Sequence, residues 1–378
     1  MPAVFMRKSP KPSALTRGPI YNSLLGSRGR RSRAVILQNE KFFVFEGNRK
    51  MIIVTGAAGF IGSALIARLN KAGHTNIVAV DRLGSDERWK NLVGLKFSDY
   101  LDADDFADMI DAEKFDLRIK ALIHLGACSS TTETDAEFLI KNNYEYSKKM
   151  AVLAIQAGGR FIYASSAATY GDGANGFSDD EKGLWGLGPL NMYGYSKHLF
   201  DLWAKNNNLL NEIVGLKYFN VFGPNEYHKA EMRSFAMRAF EQITETGKVK
   251  LFKSYNPDYK DGGQIRDFIY VKDAVDMTLF FLENKKANGI FNIGTGKPRT
   301  WLDLANAVFA AMNKQPDIEY IDMPGHLKSK YQYFTKAETQ KIQTAGYKKE
   351  PASLEETVKD YVQNYLAKGN YLTGENFN

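Results

Sequence analysis

At 378 residues and 44% hydrophobic content, the chain can bury a substantial core in one large domain or two closely joined ones, and no uninterrupted apolar run approaches the ~18 residues of a membrane-spanning helix. The net charge of +7 is uneven: residues 1–50 carry seven Arg and four Lys against Glu40 and Glu46, a net +9, which leaves −2 on residues 51–378. A phosphate-tracking surface needs its cations on the folded part, so neither nucleic acid nor membrane is an expected partner.

Residues 1–50 are rich in Arg, Ser, Gly and Pro, lack periodicity before about Ala34, and read as a disordered basic extension. The scarcity of acids fits a transit peptide, but Pro10, Pro12 and Pro19 interrupt the amphipathic helix that such a peptide needs. An unstructured extension, or a start codon set too far upstream with Met51 as the natural beginning, is the better reading. A single cysteine, Cys128, excludes an intramolecular disulfide and fits a reducing, cytoplasmic compartment.

From Met51 onward, short Val/Ile-rich runs alternate with segments of helical spacing, the pattern of βαβ units. Strands are expected over residues 51–55, 77–81, 93–98, 121–125, 161–165 and 213–219, each separated by enough chain for a crossover helix. The fold class that follows is α/β, a doubly wound parallel sheet of Rossmann type. After Pro224 the alternation loosens: a helix is expected over 232–246, Gly/Asp-rich loops over 255–264 and around 324–332, and a return to strand-and-helix rhythm over 266–283 and 290–294. The expected division is a dinucleotide-binding domain of residues 51–225 and 264–295, with a smaller C-terminal α/β substrate-binding cap of residues 226–263 and 296–378.

The first βα junction is rich in glycine. Gly56, Gly59, Phe60, Ile61 and Gly62 belong to a GxxGxxG turn that follows the first strand and opens a helix, where backbone amides approach a pyrophosphate and the helix N-terminus favours its charge. Bare glycine patterns arise often by chance; the flanking strand and helix make this one specific. Asp81 ends the second strand, where a carboxylate accepts from an adenosine ribose and favours NAD. Arg82 and Arg88 follow it, and a guanidinium beside that ribose accepts the additional phosphate of NADP. NADP is the expected cofactor, with NAD use open, and no metal site is expected.

Tyr193 and Lys197 lie four residues apart on one helix face. An ammonium near a phenol favours phenolate, which can take a proton from a sugar hydroxyl as hydride leaves, and Lys197 should also hold the nicotinamide ribose. Such pairs are common on ordinary helices; this one gains weight from chain order, because the SSAATYG run ending the fifth strand precedes it and supplies Ser166 to hydrogen-bond the reacting hydroxyl. All of these residues fall at the carboxyl edge of the sheet, where open α/β sheets bind ligands.

With the turn at Thr55–Gly62, the SSAATYG and YGYSK runs, RDFIYV at 266–271 and FNIGTG at 291–296, the chain resembles the extended short-chain dehydrogenase/reductases over most of residues 51–365. GACSSTTE at 126–133 and YFNVFGP at 218–224, followed by His228 and Lys229, are similar to the ADP-heptose 6-epimerase branch of that family. The resemblance implies C-6 epimerisation of ADP-D-glycero-D-manno-heptose for the lipopolysaccharide core by transient oxidation and re-reduction, in a homo-oligomer, typically a pentamer. It implies Ala127, Ser129 and Asn143 beside the cofactor, Asn220 facing the substrate, and Lys229 as a second acid/base. It also implies Arg266 on the substrate diphosphate, with Phe252, Ser254 and Tyr331 contacting substrate. The loop before Arg266 is longer than the family's usual one, and small alanines stand at 57 and 58 where a glycine is frequent.

Two rivals remain. Ala167 and Ala168 occupy the places where dehydratases carry an acid pair, which disfavours dehydration, but a UDP-sugar 4-epimerase is opposed only by resemblance. A non-catalytic dinucleotide-binding subunit is disfavoured by retention of Tyr193, Lys197 and Ser166.

Overall fold

The strand Met51–Thr55 is buried along its whole length between two parallel neighbours, Ile77–Asp81 and Ile119–His124, which is why it reads as an unbroken apolar run. The computed structural model describes residues 50–112, 118–328 and 331–377; the expected disordered extension over 1–50 lies outside them but for its last residue. Seven parallel strands form the main sheet, in the order Gly289–Ile293, Val214–Tyr218, Arg160–Ser166, Ile119–His124, Met51–Thr55, Ile77–Asp81, Asp99–Asp102. The chain starts in the interior of the sheet and winds to one edge, then restarts beside its own first strand and winds to the other. That reversal lies between Met51–Thr55 and Ile119–His124, and it opens a crevice at their carboxyl ends.

The strand expected over residues 93–98 is not there. Val93 is 57% exposed, Leu95 closes a turn with its amide on Leu92 O at 3.2 Å, and the edge strand is Asp99–Asp102. Its pairing of Val78 with Asp99 is supported by Tyr100 Oη donating to Asp81 O at 2.7 Å. An edge strand buried on one side tolerates Asp at alternate positions, so hydropathy alone displaces it toward the apolar loop. The helix expected over 232–246 begins later, as Phe235–Thr246, because Ser234 caps it by accepting from Met237 N, and Met232 belongs to the preceding 3-10 segment Tyr227–Met232. The loop over 255–264 is present, between Val249–Phe252 and Ile265–Arg266.

Three short strand pairs stand apart from the main sheet: Asn220–Phe222 with Phe268–Tyr270, Ile265–Arg266 with Arg299–Thr300, and Val249–Phe252 with Ile318–Ile321. The helix Met192–Asn206 lies on the strand Arg160–Ser166 through Phe200, whose ring meets that of Tyr163 edge-on at 4.6 Å. Among the described residues no helix is long and apolar enough to cross a membrane.

Candidate active site

The crevice begins at the first βα turn. Gly56 has φ +69°, and a Cβ there would lie 2.7 Å from Gly126 N, so only glycine lets the first and fourth strand ends meet. Gly59 starts the helix Phe60–Lys71 without a side-chain cap and with no acid in its first turn, which leaves the leading amides free to face an anion. Gly56, Gly59, Phe60, Ile61 and Gly62 line a cavity of about 550 Å³.

At its far end stand Asp81, Arg82 and Arg88. The Asp81 carboxylate accepts from Ala58 N at 2.8 Å and from Arg82 N at 2.7 Å, and burial pushes its pKa up against those bonds. Each arginine already has an acid: Arg82 pairs with Asp104 at 2.5 Å and Arg88 with Asp86 at 2.7 Å. Uncapped amides, a glycine cradle and a carboxylate at the second strand end together fit a dinucleotide.

A second cavity, of about 380 Å³, continues from the first through Phe60, Ile61, Ala127, Ser129 and Lys229, which line both. Ser166, Tyr193, Lys197 and Asn220 form its walls. The helix carrying Tyr193 and Lys197 is capped by Asn191, whose side chain accepts from Gly194 N at 2.8 Å. It comes so close to the turn after Ser166 that a Cβ on Gly194 would lie 2.7 Å from Ala168 O. Lys197 Nζ donates to Ala164 O at 3.0 Å, and burial lowers its pKa to about 8 while Asp201 and Cys128 pull it back up.

Burial raises the pKa of the Tyr193 phenol, and the Ser166 hydroxyl opposes that rise. Lys197, four residues on along the same helix, reaches the same cavity.

Asn143 also departs from expectation. It lines neither cavity and is fully buried, with Cys128 N donating to its Oδ1 at 2.8 Å and its Nδ2 donating to Cys128 O at 2.9 Å and Ser196 Oγ at 3.0 Å. It therefore shapes the loop that bears Ala127 and Ser129. Behind it, Ser147 Oγ donates to Asn143 O at 2.6 Å and bonds His124, which burial holds neutral with a pKa of about 3.

Lys229, which lines both cavities, rides on the segment Tyr227–Met232, where Ala230 has φ 45° and ψ −123°, a rare conformation for a non-glycine residue. Burial lowers the Lys229 pKa, opposed by Glu226, and the ammonium sits 5.0 Å from the centre of the Phe60 ring. Asn91, absent from the sequence reading, ties this segment to the glycine turn: its Nδ2 donates to Ala58 O at 2.9 Å and to Asn225 O, just before the segment, at 3.0 Å, and lies 3.2 Å from His228 Nδ1 within it.

Phe252, Ser254, Arg266 and Tyr331 line neither cavity. They sit behind Trp301, which does: the Arg266 guanidinium lies 5.6 Å from the Trp301 ring and 5.3 Å from the Tyr331 ring, and Phe252 meets Tyr331 edge-on at 6.5 Å. Ser254 turns into its own loop, donating to Asn256 O at 2.8 Å. Arg266 is 7% exposed, and no carboxylate among the described residues pairs with it. The sequence reading also missed Trp301, Phe268 and Arg233 on the cavity wall, since an aromatic or a cation in a loosely patterned segment carries no spacing signal.

Residues 52–294 match the NAD dependent epimerase/dehydratase family. The chain belongs to that family. Within it, the chain is 54% identical over 317 residues to the ADP-L-glycero-D-manno-heptose-6-epimerase of Nitratidesulfovibrio vulgaris (strain DP4), covering 84% of this chain and 98% of that protein. It is 48% identical over 327 residues to the Fusobacterium nucleatum protein of the same name, with the same coverages. The crystal structure of Helicobacter pylori ADP-L-glycero-D-manno-heptose-6-epimerase superposes with TM-score 0.70 at 28% identity, covering 83% of this chain and 96% of that one. UDP-glucose 4-epimerase from Thermotoga maritima, with UDP-glucose, gives 0.68 at 26% identity, covering 84% and 99%. A nicotinamide cofactor accords with this epimerase family and with the fit of the first cavity.

Proposed function

We propose that the chain is an ADP-glycero-manno-heptose 6-epimerase, an isomerase that converts ADP-D-glycero-D-manno-heptose to the L-glycero epimer. The observation that carries the reading is that two proton-handling side chains, Tyr193 and Lys229, reach one cavity from different elements. Relatives 54% and 48% identical over nearly their whole length bear that name.

A dinucleotide is held by the glycine turn, by Asp81 with Arg82 and Arg88 at the adenosine end, and by Ala127, Ser129 and Lys197 at the other. A nicotinamide held there by these residues would supply the hydride acceptor and donor, and its positive ring would favour the phenolate of Tyr193. The Ser166 hydroxyl orients the C-6 hydroxyl, and Tyr193 oxygen takes its proton as the C–H bond breaks, leaving a ketone at C-6. After the sugar turns, re-reduction on the other face makes an alkoxide, and Lys229 supplies its proton. An ammonium with a lowered pKa is the better donor for that step. Oxidation and reduction cancel, so no redox partner is consumed.

Asn220 contacts the sugar, and the segments 226–263 and 296–378 act as the substrate-binding cap. The diphosphate is assigned to Arg266: a buried guanidinium that donates to Ile265 O and has no ion-pair partner among the described residues calls for an anion. Phe252, Ser254 and Tyr331 shape that end of the site. NADP is the assigned dinucleotide, supported by two guanidinium groups on the cavity wall at the adenosine end, and NAD the second reading, supported by Asp81. The same reading makes the enzyme a cytoplasmic homo-oligomer, a pentamer by family resemblance.

Incubating the protein with ADP-D-glycero-D-manno-heptose and separating the C-6 epimers tests the assignment; absence of the L-glycero product overturns it. Interconversion of UDP-glucose and UDP-galactose instead would establish the 4-epimerase reading. Mass spectrometry of dinucleotide released on denaturation decides between NADP and NAD.

A further inference from the structure

We infer that Asp201, through its buried ion pair with Lys217, is a positioning residue that holds the Lys197 ammonium in place and joins the catalytic helix to the strand end bearing Ser166. This rests on the reading of Tyr193 and Lys197 given above, and it concerns residues that line neither cavity.

Asp201 and Lys217 are both fully buried, with Lys217 Nζ 2.8 Å from Asp201 Oδ2. The carboxylate is saturated: Tyr163 Oη donates to Oδ1 at 2.9 Å and Ser165 Oγ to Oδ2 at 2.8 Å. Lys217 also donates to Thr169 Oγ1 at 2.5 Å and lies 4.9 Å from the Tyr170 ring centre. One cluster thus binds the helix Met192–Asn206, the strand Arg160–Ser166, the 3-10 turn Ala167–Tyr170 and the strand Val214–Tyr218. Those elements carry Tyr193, Lys197 and Ser166, and the last leads directly into Asn220.

Desolvating two charges is costly, and a well-packed apolar pair of the same volume is commonly as stable or more so. A positioning role is what the pair contributes in this reading. Asp201 lies four residues after Lys197, on the same helix face and one turn below it. Its charge offsets the burial that drives the Lys197 proton off. The other groups facing Lys197 are Cys128, from the loop after Ile119–His124, and neutral His124 within that strand. Asp201 itself faces Lys217, Tyr163, Tyr170 and, on its own helix, His198. Among these, Asp201 is the only carboxylate near Lys197.

The test uses the full chain with Asp201→Asn and with the doubly substituted Asp201→Asn/Lys217→Met, which removes both charges and leaves no buried cation unpaired. Two pH profiles are read for each: kcat for heptose epimerisation, and affinity for NADP+ and NAD+. The expected result is that the alkaline inflection of both profiles moves to lower pH, by on the order of one unit, while the double variant unfolds near the wild-type temperature. Inflections that stay at the wild-type pH, with activity lowered equally at every pH, would overturn the inference by leaving Asp201 a purely structural role. Wild-type protein that forms no L-glycero epimer defeats the epimerase reading instead, and the dinucleotide profile still reports Lys197.

Discussion

Lys197 Nζ and Ala164 O are 3.0 Å apart, which pins the ammonium to the strand that ends at Ser166. The same bond keeps the positive charge at a constant position beside that strand end, and burial sets the pH range in which that charge exists. With its pKa lowered to about 8, Lys197 is an ammonium below that value and neutral above it. Because the charged form supports phenolate, kcat should hold up to roughly neutral pH and fall as pH rises through about 8. A kcat profile in buffers of constant ionic strength checks this, and a plateau extending past pH 9 would contradict it.

Tyr193→Phe deletes the oxygen that carries the proton and leaves the ring in place. The expected outcome is a loss of kcat of roughly 10²–10⁴-fold, with dinucleotide still present after purification. The Phe variant should stay within a few degrees of the wild-type melting temperature, because the ring keeps its packing and only the bond with the Ser166 hydroxyl is lost. Comparable turnover by the variant would remove Tyr193 from the mechanism.

Much of this site could be read from residue order, because a Gly-rich turn, a strand-end serine and a Tyr-Lys helix each carry a local pattern that a parallel sheet brings to one edge. Lys217 escaped the sequence reading: it is a lone charge in the apolar strand VGLKY, and nothing local shows that its partner is Asp201 across the sheet surface. For Asn143 the sequence carries no sign of its bonds to the Cys128 backbone, since an inward-facing amide serves a ligand or a loop with the same local pattern. The displaced edge strand has the same origin: Asp99 and Asp102 are acceptable where one side of the sheet is wet.

Gly56→Ala places a methyl group 2.7 Å from Gly126 N and on a backbone with φ +69°. Strain of this kind costs on the order of 1–3 kcal/mol, and the strand ends can relieve it only by separating under the pyrophosphate. Dinucleotide affinity should fall at least tenfold, with thermal stability reduced as well. Isothermal titration of the variant with NADP+ measures it, and wild-type affinity would show that the turn does not hold the dinucleotide.

Arg266→Lys retains the charge but not the planar fork that lies near the Trp301 and Tyr331 rings. A guanidinium that binds the substrate diphosphate through paired hydrogen bonds contributes about 1.5–3 kcal/mol. Losing that geometry should raise KM for ADP-heptose roughly tenfold or more while leaving dinucleotide affinity unchanged, because Arg266 lies away from the glycine turn and Asp81 that line the first cavity. If KM holds and the melting temperature falls instead, the guanidinium serves the aromatic cluster alone, and the diphosphate must be met by the cations on the wall itself, Arg233 and Arg238.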